Sequence, residues 1–364
     1  MDKSLASFVE EVCGDSHLRV EQDLGDGFVV LRSSEAERRQ AKHDVRCSED
    51  IIIEMLRNSR DAGARNIFVA LSREGSIRRI CVIDDGAGIP ETLHERVFEP
   101  RITSKLNTMH VDKWGVHGRG MALFSIKENS QQARVIESSP ENGSSIFVEV
   151  NLDSLGEKTD QSSMPVCMLD DEEGLIIRGP HNINRTIAEF AYESKELCHV
   201  YYGSPSDIVA GLFLFGQSSL TKTERAFCDK AQDLALTKRL AIAADASELR
   251  QLAEDIGLSI SERSARRVID GDIKAPPEVY EALMSAIQRP NERRHAKATD
   301  IGKTLIKDRR GLKIHSDDLE AFTTQIKQAY QELAEKYYLE DSVEPEVRVL
   351  GNRIEIQIDF DKIR

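Results

Sequence analysis

Residues 54–64 read Glu54-Met55-Leu56-Arg57-Asn58-Ser59-Arg60-Asp61-Ala62-Gly63-Ala64, and the rest of the chain is best read outward from them. Ser48 stands before this stretch as a helix cap. Glu49 and Asp50 fall in the first turn, where the positive end of the helix dipole favours acids. Ile52, Ile53, Met55 and Leu56 supply an apolar face, and Gly63 stops the helix. The pattern predicts a helix over 49–62. Glu54 and Asn58 are four residues apart on it, so both side chains leave from one face, with Asp61 one turn on. A carboxylate so placed can take a proton from an attacking water. An asparagine carbonyl is a hard-oxygen ligand suited to Mg²⁺, which keeps waters and also binds phosphate oxygens. The pairing suits phosphoryl transfer to water, although Glu-x-x-x-Asn alone describes a solvated polar stripe equally well.

Two apolar runs follow, 66–72 (NIFVALS) and 79–84 (RICVID), flanking a Glu74-Gly75 turn and predicting a pair of strands. The second leads into Val82-Ile83-Asp84-Asp85-Gly86-Ala87-Gly88-Ile89-Pro90. Asp84 at the strand end can accept a hydrogen bond from an exocyclic amine such as that of adenine. Gly86 and Gly88 would let the backbone pass beneath a flat base. A simple strand-ending turn has the same residues. Residues 85–118 are Gly-rich, polar and without period, and a loop of that length is usually functional. It runs into Trp114-Gly115-Val116-His117-Gly118-Arg119-Gly120-Met121-Ala122-Leu123. Gly115, Gly118 and Gly120 are expected to open a helix over 119–129, whose first amides would bind phosphate, with Met121 beside them. There is no Gly-Lys-[Ser/Thr], so this is not a Walker A loop.

These three motifs, in this order, resemble the GHKL ATPases, the superfamily of gyrase, Hsp90, histidine kinases and MutL, over residues 27–152. The resemblance implies an α/β sandwich with ATP and Mg²⁺ under a mobile lid. It implies Glu54 as general base, Asn58 as Mg²⁺ ligand and Asp84 as reader of adenine. It further places Asp61, Gly86 and Gly88 around the base, and Gly115, Gly118 and Gly120 at the phosphates. EMLRNSRDAGA is similar to the MutL and type II topoisomerase version. Histidine kinases usually carry Asn where this chain has Asp61, and lack the hydrolytic Glu. Val97–Lys105 resembles the start of a lid, with Thr103, Ser104 and Lys105 as phosphate contacts. Asp85 replaces the Asn usual after the adenine-reading Asp.

The remaining organisation is an α+β one. A 1–26 arm precedes the ATP-binding domain. Polar residues 153–173 read as a linker, and 174–220 as a small α/β unit or an extension of the first domain. Residues 221–297 read as helical, and 298–364 as a last α/β unit. The first domain is expected to be a mixed sheet with helices on one face. Within 249–287, Leu252–Ser259 and Ser261–Gly271 resemble an Xre-type helix-turn-helix with a turn two residues long for the type. That resemblance turns Arg263, Arg266 and Arg267 toward double-stranded DNA, with Lys274 near phosphate. In relatives a later module gives a lysine to the γ-phosphate, for which Lys222, Lys303 and Lys307 stand as candidates.

At 364 residues, two or three domains are expected. The six cysteines are scattered without a Cys-x-x-Cys pair, against a zinc cluster or disulfide framework. A net charge of −14 argues against a chain coated in nucleic acid but leaves room for a local basic face. No apolar run reaches the roughly 18–20 residues of a membrane span, and the first residues have no signal-peptide core, so a cytoplasmic protein is expected. The functional expectation is a slow, Mg²⁺-dependent ATPase that switches conformation, closes as an ATP-dependent homodimer and couples to DNA. The alternatives are an ATP-sensing transcriptional regulator with little hydrolysis, and a kinase of the histidine-kinase type.

Overall fold

The computed structural model describes residues 20–32, 35–104, 110–112, 115–117, 120–158, 160–170, 174–228, 230–287, 316–337, 339–340, 345–350 and 353–358. Two compact units divide the chain, 1–306 and 307–364. The first begins with a hairpin of β1 (Val20–Gly25) and β2 (Phe28–Leu31), then α1 (Glu35–Ala41) and α2 (Ser48–Asp61). Next come β3 (Asn66–Glu74), β4 (Ile77–Asp84), the two-residue β5 (Ile102–Thr103), β6 (His110–Asp112) and β7 (Gly115–His117). α3 (Ala122–Glu128), β8 (Gln132–Ser138) and β9 (Ser144–Asn151) close the segment carrying the three motifs. The unit continues through β10 (Val166–Asp170), β11 (Gly174–Arg178), α4 (Ile183–Glu193), β12 (His199–Gly203), α5 (Pro205–Ser219) and α6 (Lys222–Phe227). Its last described helices are α7 (Ala246–Asp255), α8 (Glu262–Ile269) and α9 (Val279–Ile287).

The central sheet has the order β12-β3-β4-β9-β8. β12 runs parallel to β3, and every other pairing is antiparallel. This is the α+β architecture expected, with one difference in its layers. Helices cover both faces of the sheet, not one. Ile67, Val69, Ile80, Val82, Ile146 and Val148 face α2, α4 and α9. Phe68, Ala70, Cys81 and Ile83 face α5, α7 and α8. Successive strand residues point to opposite faces. Unbroken apolar runs such as IFVA and ICVI are therefore what a doubly covered sheet needs. Each large side chain fully buried there contributes roughly 1.5–3 kcal/mol.

The segment 174–220 is built into the central sheet and both of its helical layers. His199–Gly203 pairs residue for residue with Asn66–Ala70. α5 lies on the sheet behind it, opened by a capping box of Ser204 and Asp207. Residues 153–163 are not a free linker either. Glu157 bridges Arg73 at 3.2 Å and Arg78 at 2.5 Å with its carboxylate buried. Buried Glu49 accepts from the Lys158 amide and Gln161, and Asn182 donates to the carbonyls of Asp160 and Ser163. Their polarity, read as solvation, is used up in side-chain hydrogen bonds. β10 and β11 then pair with each other. Of the expected arm, residues 20–25 form strand β1, and 1–19 lie outside the described residues.

The second unit holds α10 (Ser316–Tyr337) and the hairpin β13 (Glu346–Leu350) with β14 (Arg353–Gln357). Tyr330, Ala334 and Leu339 form its small core. The Tyr330 hydroxyl donates to the Glu340 carbonyl. No helix among the described residues is long and apolar enough to cross a membrane.

Candidate functional site

α2 ends as the sequence predicts. Gly63 takes the left-handed conformation at φ +75° and reverses the chain into β3. Its start differs: Cys47 occupies the cap position without a side-chain bond, and the Ser48 hydroxyl is buried with no partner among the described residues. Burial and the nearby Asp50 carboxylate push the Cys47 thiol up to about 12, so it stays protonated.

The first and second motifs meet at Asp84, which is 3% exposed. The Ser59 hydroxyl donates to its Oδ2 at 2.8 Å, and the Ser144 hydroxyl to the same oxygen at 2.7 Å. The Gly86 amide donates to Oδ1 at 2.9 Å. Ser144 lies directly opposite Asp84 in the β4–β9 register. Burial raises the Asp84 carboxyl above the usual carboxylate range, against the opposing pull of the bonds from Ser144, Gly86 and Ser59. Neither serine stands out from sequence. Ser59 sits inside the first motif, but Ser144 reaches Asp84 only through strand pairing.

Asp85 has a different task. Its Oδ1 accepts from the amides of Arg65 and Asn66, and its Oδ2 from the Asn66 side-chain amide. All three partners donate, which suits a carboxylate, an acceptor at both oxygens. Gly86 is tight against Ala62 and Asp84, where a Cβ would lie 3.0 Å from the Ala62 carbonyl oxygen. Gly88, at φ +73°, has its own constraint: a Cβ would stand 2.0 Å from the Ser139 carbonyl oxygen of the β8–β9 hairpin. Gly88→Ala is expected to cost about 3 kcal/mol in urea unfolding, combining left-handed strain with overpacking.

Glu54 is partly exposed, and its Oε1 lies 2.5 Å from Nη1 of Arg57, a residue 3% exposed. Asn58 follows one turn later with its side-chain Nδ2 buried and without a partner among the described residues. Because the two ends of an amide are assigned from their partners, a flip of this side chain would turn its oxygen to that position. A hard-oxygen donor beside a carboxylate fits Mg²⁺ carrying waters and phosphate. Asp61 is held by Arg60 at 3.1 Å, whose guanidinium lies 5.5 Å from the Phe190 ring centroid.

Thr103 is buried in β5, which pairs with β2. Arg101 is left-handed at φ +67°. Its amide donates to the Gly120 carbonyl at 2.8 Å, its carbonyl accepts from Leu31, and its guanidinium meets Glu37. Residues 101 and 120 are thereby held together. The expected helix starts only at Ala122, with Met121 as its cap residue. Gly115 stands in the β6–β7 hairpin instead of at that helix start. Gly120, at φ +67°, is packed against Ile102 and Arg101. Lys105 and Gly118 lie outside the described residues, as do Lys303 and Lys307, and only the backbone of Lys222 is described.

α7 and α8 pack together, and their apolar side belongs to the layer behind the sheet: Leu249, Ala253, Ile256, Leu258, Ala265 and Val268. Arg263, Arg266 and Lys274 are exposed and Arg267 is half-buried. Glu262 lies 3.9 Å from Arg266 and Asp272 lies 3.8 Å from Arg267, which dilutes the positive field. A polar cleft of about 400 Å³ lined by Arg73, Ser76, Asp153, Glu157 and Lys158 lies at the other end of β3 and β4 from Asp84. Arg73 and Glu157 are paired there, and the chemistry of the three motifs is elsewhere.

Residues 44–154 match the family described as histidine kinase-, DNA gyrase B- and HSP90-like ATPase. The chain is also similar to the DNA mismatch repair protein MutL of Clostridium botulinum, 32% identical over 104 residues. With MutL of Clostridium beijerinckii the identity is 35% over 100 residues, and with that of Clostridium perfringens 34% over 99. The matches cover 27% of this chain, and the chain spans only about 15% of the length of the first of these relatives.

Proposed function

Taking residues 44–154 as a GHKL-type ATPase domain, we propose that the chain binds ATP with Mg²⁺, hydrolyses it slowly and uses it as a conformational switch coupled to DNA. The observation that carries this reading is the bond from Ser59 to Asp84, which locks the helix of Glu54 and Asn58 onto the strand that ends at the base reader. Asp84 accepts from the exocyclic amine of adenine. Glu54 takes the proton of the attacking water. Asn58 would hold Mg²⁺, which when bound draws charge from the phosphates. The pinned Arg101 and Gly120 give the lid a fixed base. Closure follows from a higher affinity of nucleotide for the closed state, so gel filtration with a non-hydrolysable ATP analogue should shift the chain to a dimer. A chain that stays monomeric counts against closure.

DNA enters through α8, and similarity to MutL, a DNA mismatch repair protein, favours it. Arg263→Ala with Arg266→Ala should weaken duplex binding and lower the salt slope by about 2. An unchanged slope removes α8 from the interface. The test of the whole reading is steady-state ATP hydrolysis by wild type and Glu54→Ala with Mg²⁺, with and without duplex DNA. A second reading, an ATP sensor that scarcely hydrolyses, is favoured by the Arg57 contact to Glu54, which competes for the base. Clear nucleotide binding with no turnover in either protein would select it.

A further inference from the structure

We infer that β9 couples the base end of the site to the α7–α8 helix pair on the opposite face of the sheet, an inference that rests on the ATP-binding reading above. Ser144 and Ser145 are consecutive on β9, so their side chains leave from opposite faces. Ser144 donates to Asp84 on the α2 side. Ser145, 0% exposed, donates at 2.7 Å to the carbonyl of Ile256, the residue that ends α7 and begins the turn. The Cys81 thiol contacts the same carbonyl at 3.8 Å and lies 3.5 Å from the Ser145 hydroxyl. Gly257 follows at φ +87° with no room to spare: a Cβ would lie 3.0 Å from Ile136 and 3.3 Å from the Cys81 sulfur. The turn is thus seated on the sheet by a buried polar bond, where leaving the carbonyl unpaired is costly.

The β8–β9 hairpin reinforces the link from both sides. Toward the site, the Ser138 hydroxyl accepts from the Ile89 amide and donates to the Gly143 carbonyl. Toward the helical layer, the Asn142 carbonyl accepts from Leu236 and Glu137 pairs with buried Arg239 at 3.1 Å. Asp84 already receives three donors. A base amine arriving there must share or displace them, and Ser144 is the donor carried by β9. Movement of Ser144 carries Ser145 with it, and the Ile256 carbonyl must follow or lose its partner. Occupancy of the base site therefore alters the freedom of the α7–α8 turn, and by linkage the turn alters nucleotide affinity.

The test is amide hydrogen exchange of the full chain, with and without a non-hydrolysable ATP analogue and Mg²⁺, alongside calorimetric titration of the analogue. The amides of Gly257 and Leu258, bonded to the carbonyls of Glu254 and Ala253, report the turn. In wild type, saturating analogue should slow their exchange at least about 5-fold. Ser145→Ala should still bind the analogue but lose that response. Gly257→Ala, whose added methyl presses on Ile136 and Cys81 from the helical side of the sheet, should weaken analogue binding about 5-fold or more. It also keeps the test open if Ser145→Ala does not fold. Wild type that binds the analogue with unchanged exchange at 256–262 overturns the coupling, as does Gly257→Ala binding with unchanged affinity. No binding by wild type in the calorimeter overturns the ATP reading itself, and the coupling falls with it.

Discussion

Glu54→Gln should lower kcat for ATP hydrolysis by about 10²–10³-fold while leaving nucleotide affinity within a few-fold. The amide keeps the size of the side chain but cannot take a proton. Its environment argues for a large effect on rate and a small one on binding. Glu54 is partly exposed, while the core of α2 rests on Ile51, Ile52 and Leu56, all 0% exposed. The substitution leaves Arg57 with an amide oxygen in place of a carboxylate, so a modest loss of stability accompanies the loss of rate. Single-turnover kinetics and equilibrium titration separate the two. A kcat within a few-fold of wild type would remove Glu54 from the role of base.

Asp84→Asn should weaken ATP binding at least about 100-fold, or roughly 2.7 kcal/mol. The fold can tolerate the change. Hydroxyls of Ser59 and Ser144 can rotate to accept from the new NH₂, while the remaining oxygen serves the Gly86 amide. The exocyclic amine of adenine would then meet a donor in place of an acceptor. Wild type should also lose ATP affinity as pH falls through the raised Asp84 pKa, beginning above the usual carboxylate range, because the base amine needs the ionised carboxylate. Stability runs the other way. A carboxyl whose folded pKa exceeds its unfolded one favours the folded state more as pH falls through the folded value, and fully below the unfolded one. Titration calorimetry across pH should show the acidic limb in wild type and none in Asp84→Asn. A limb that survives the substitution belongs to another group.

The sequence marks the elements whose signals are local. The helix of Glu54 is legible from its apolar face and Gly63, and β3 and β4 from their β-rich runs. Asp84 is legible because it ends such a run before glycines. What escapes is whatever depends on partners far along the chain. Ser144 is one of many serines until β9 sets it opposite Asp84. His199–Gly203 reads as a strand, but nothing local says that it lies beside β3. Residues 153–163 read as solvated because composition does not reveal that Glu157, Gln161 and Asn182 spend their polarity on the protein itself. The glycines before α3 read as a helix start because Gly115, Gly118 and Gly120 have that spacing, yet Gly115 pairs in a hairpin and the helix waits for Ala122.

The double covering of the central sheet bears on how the chain can be cut. A fragment trimmed to the family-matched residues 44–154 would strip away β12 and the whole layer of α5, α7 and α8. It would bare Phe68, Ala70, Cys81 and Ile83 as a continuous greasy surface beside a raw strand edge at β3, an invitation to self-association. The stretch recognisable by descent is thus shorter than the stretch that folds. Expression of 20–287 should give monodisperse protein where 44–154 gives inclusion bodies.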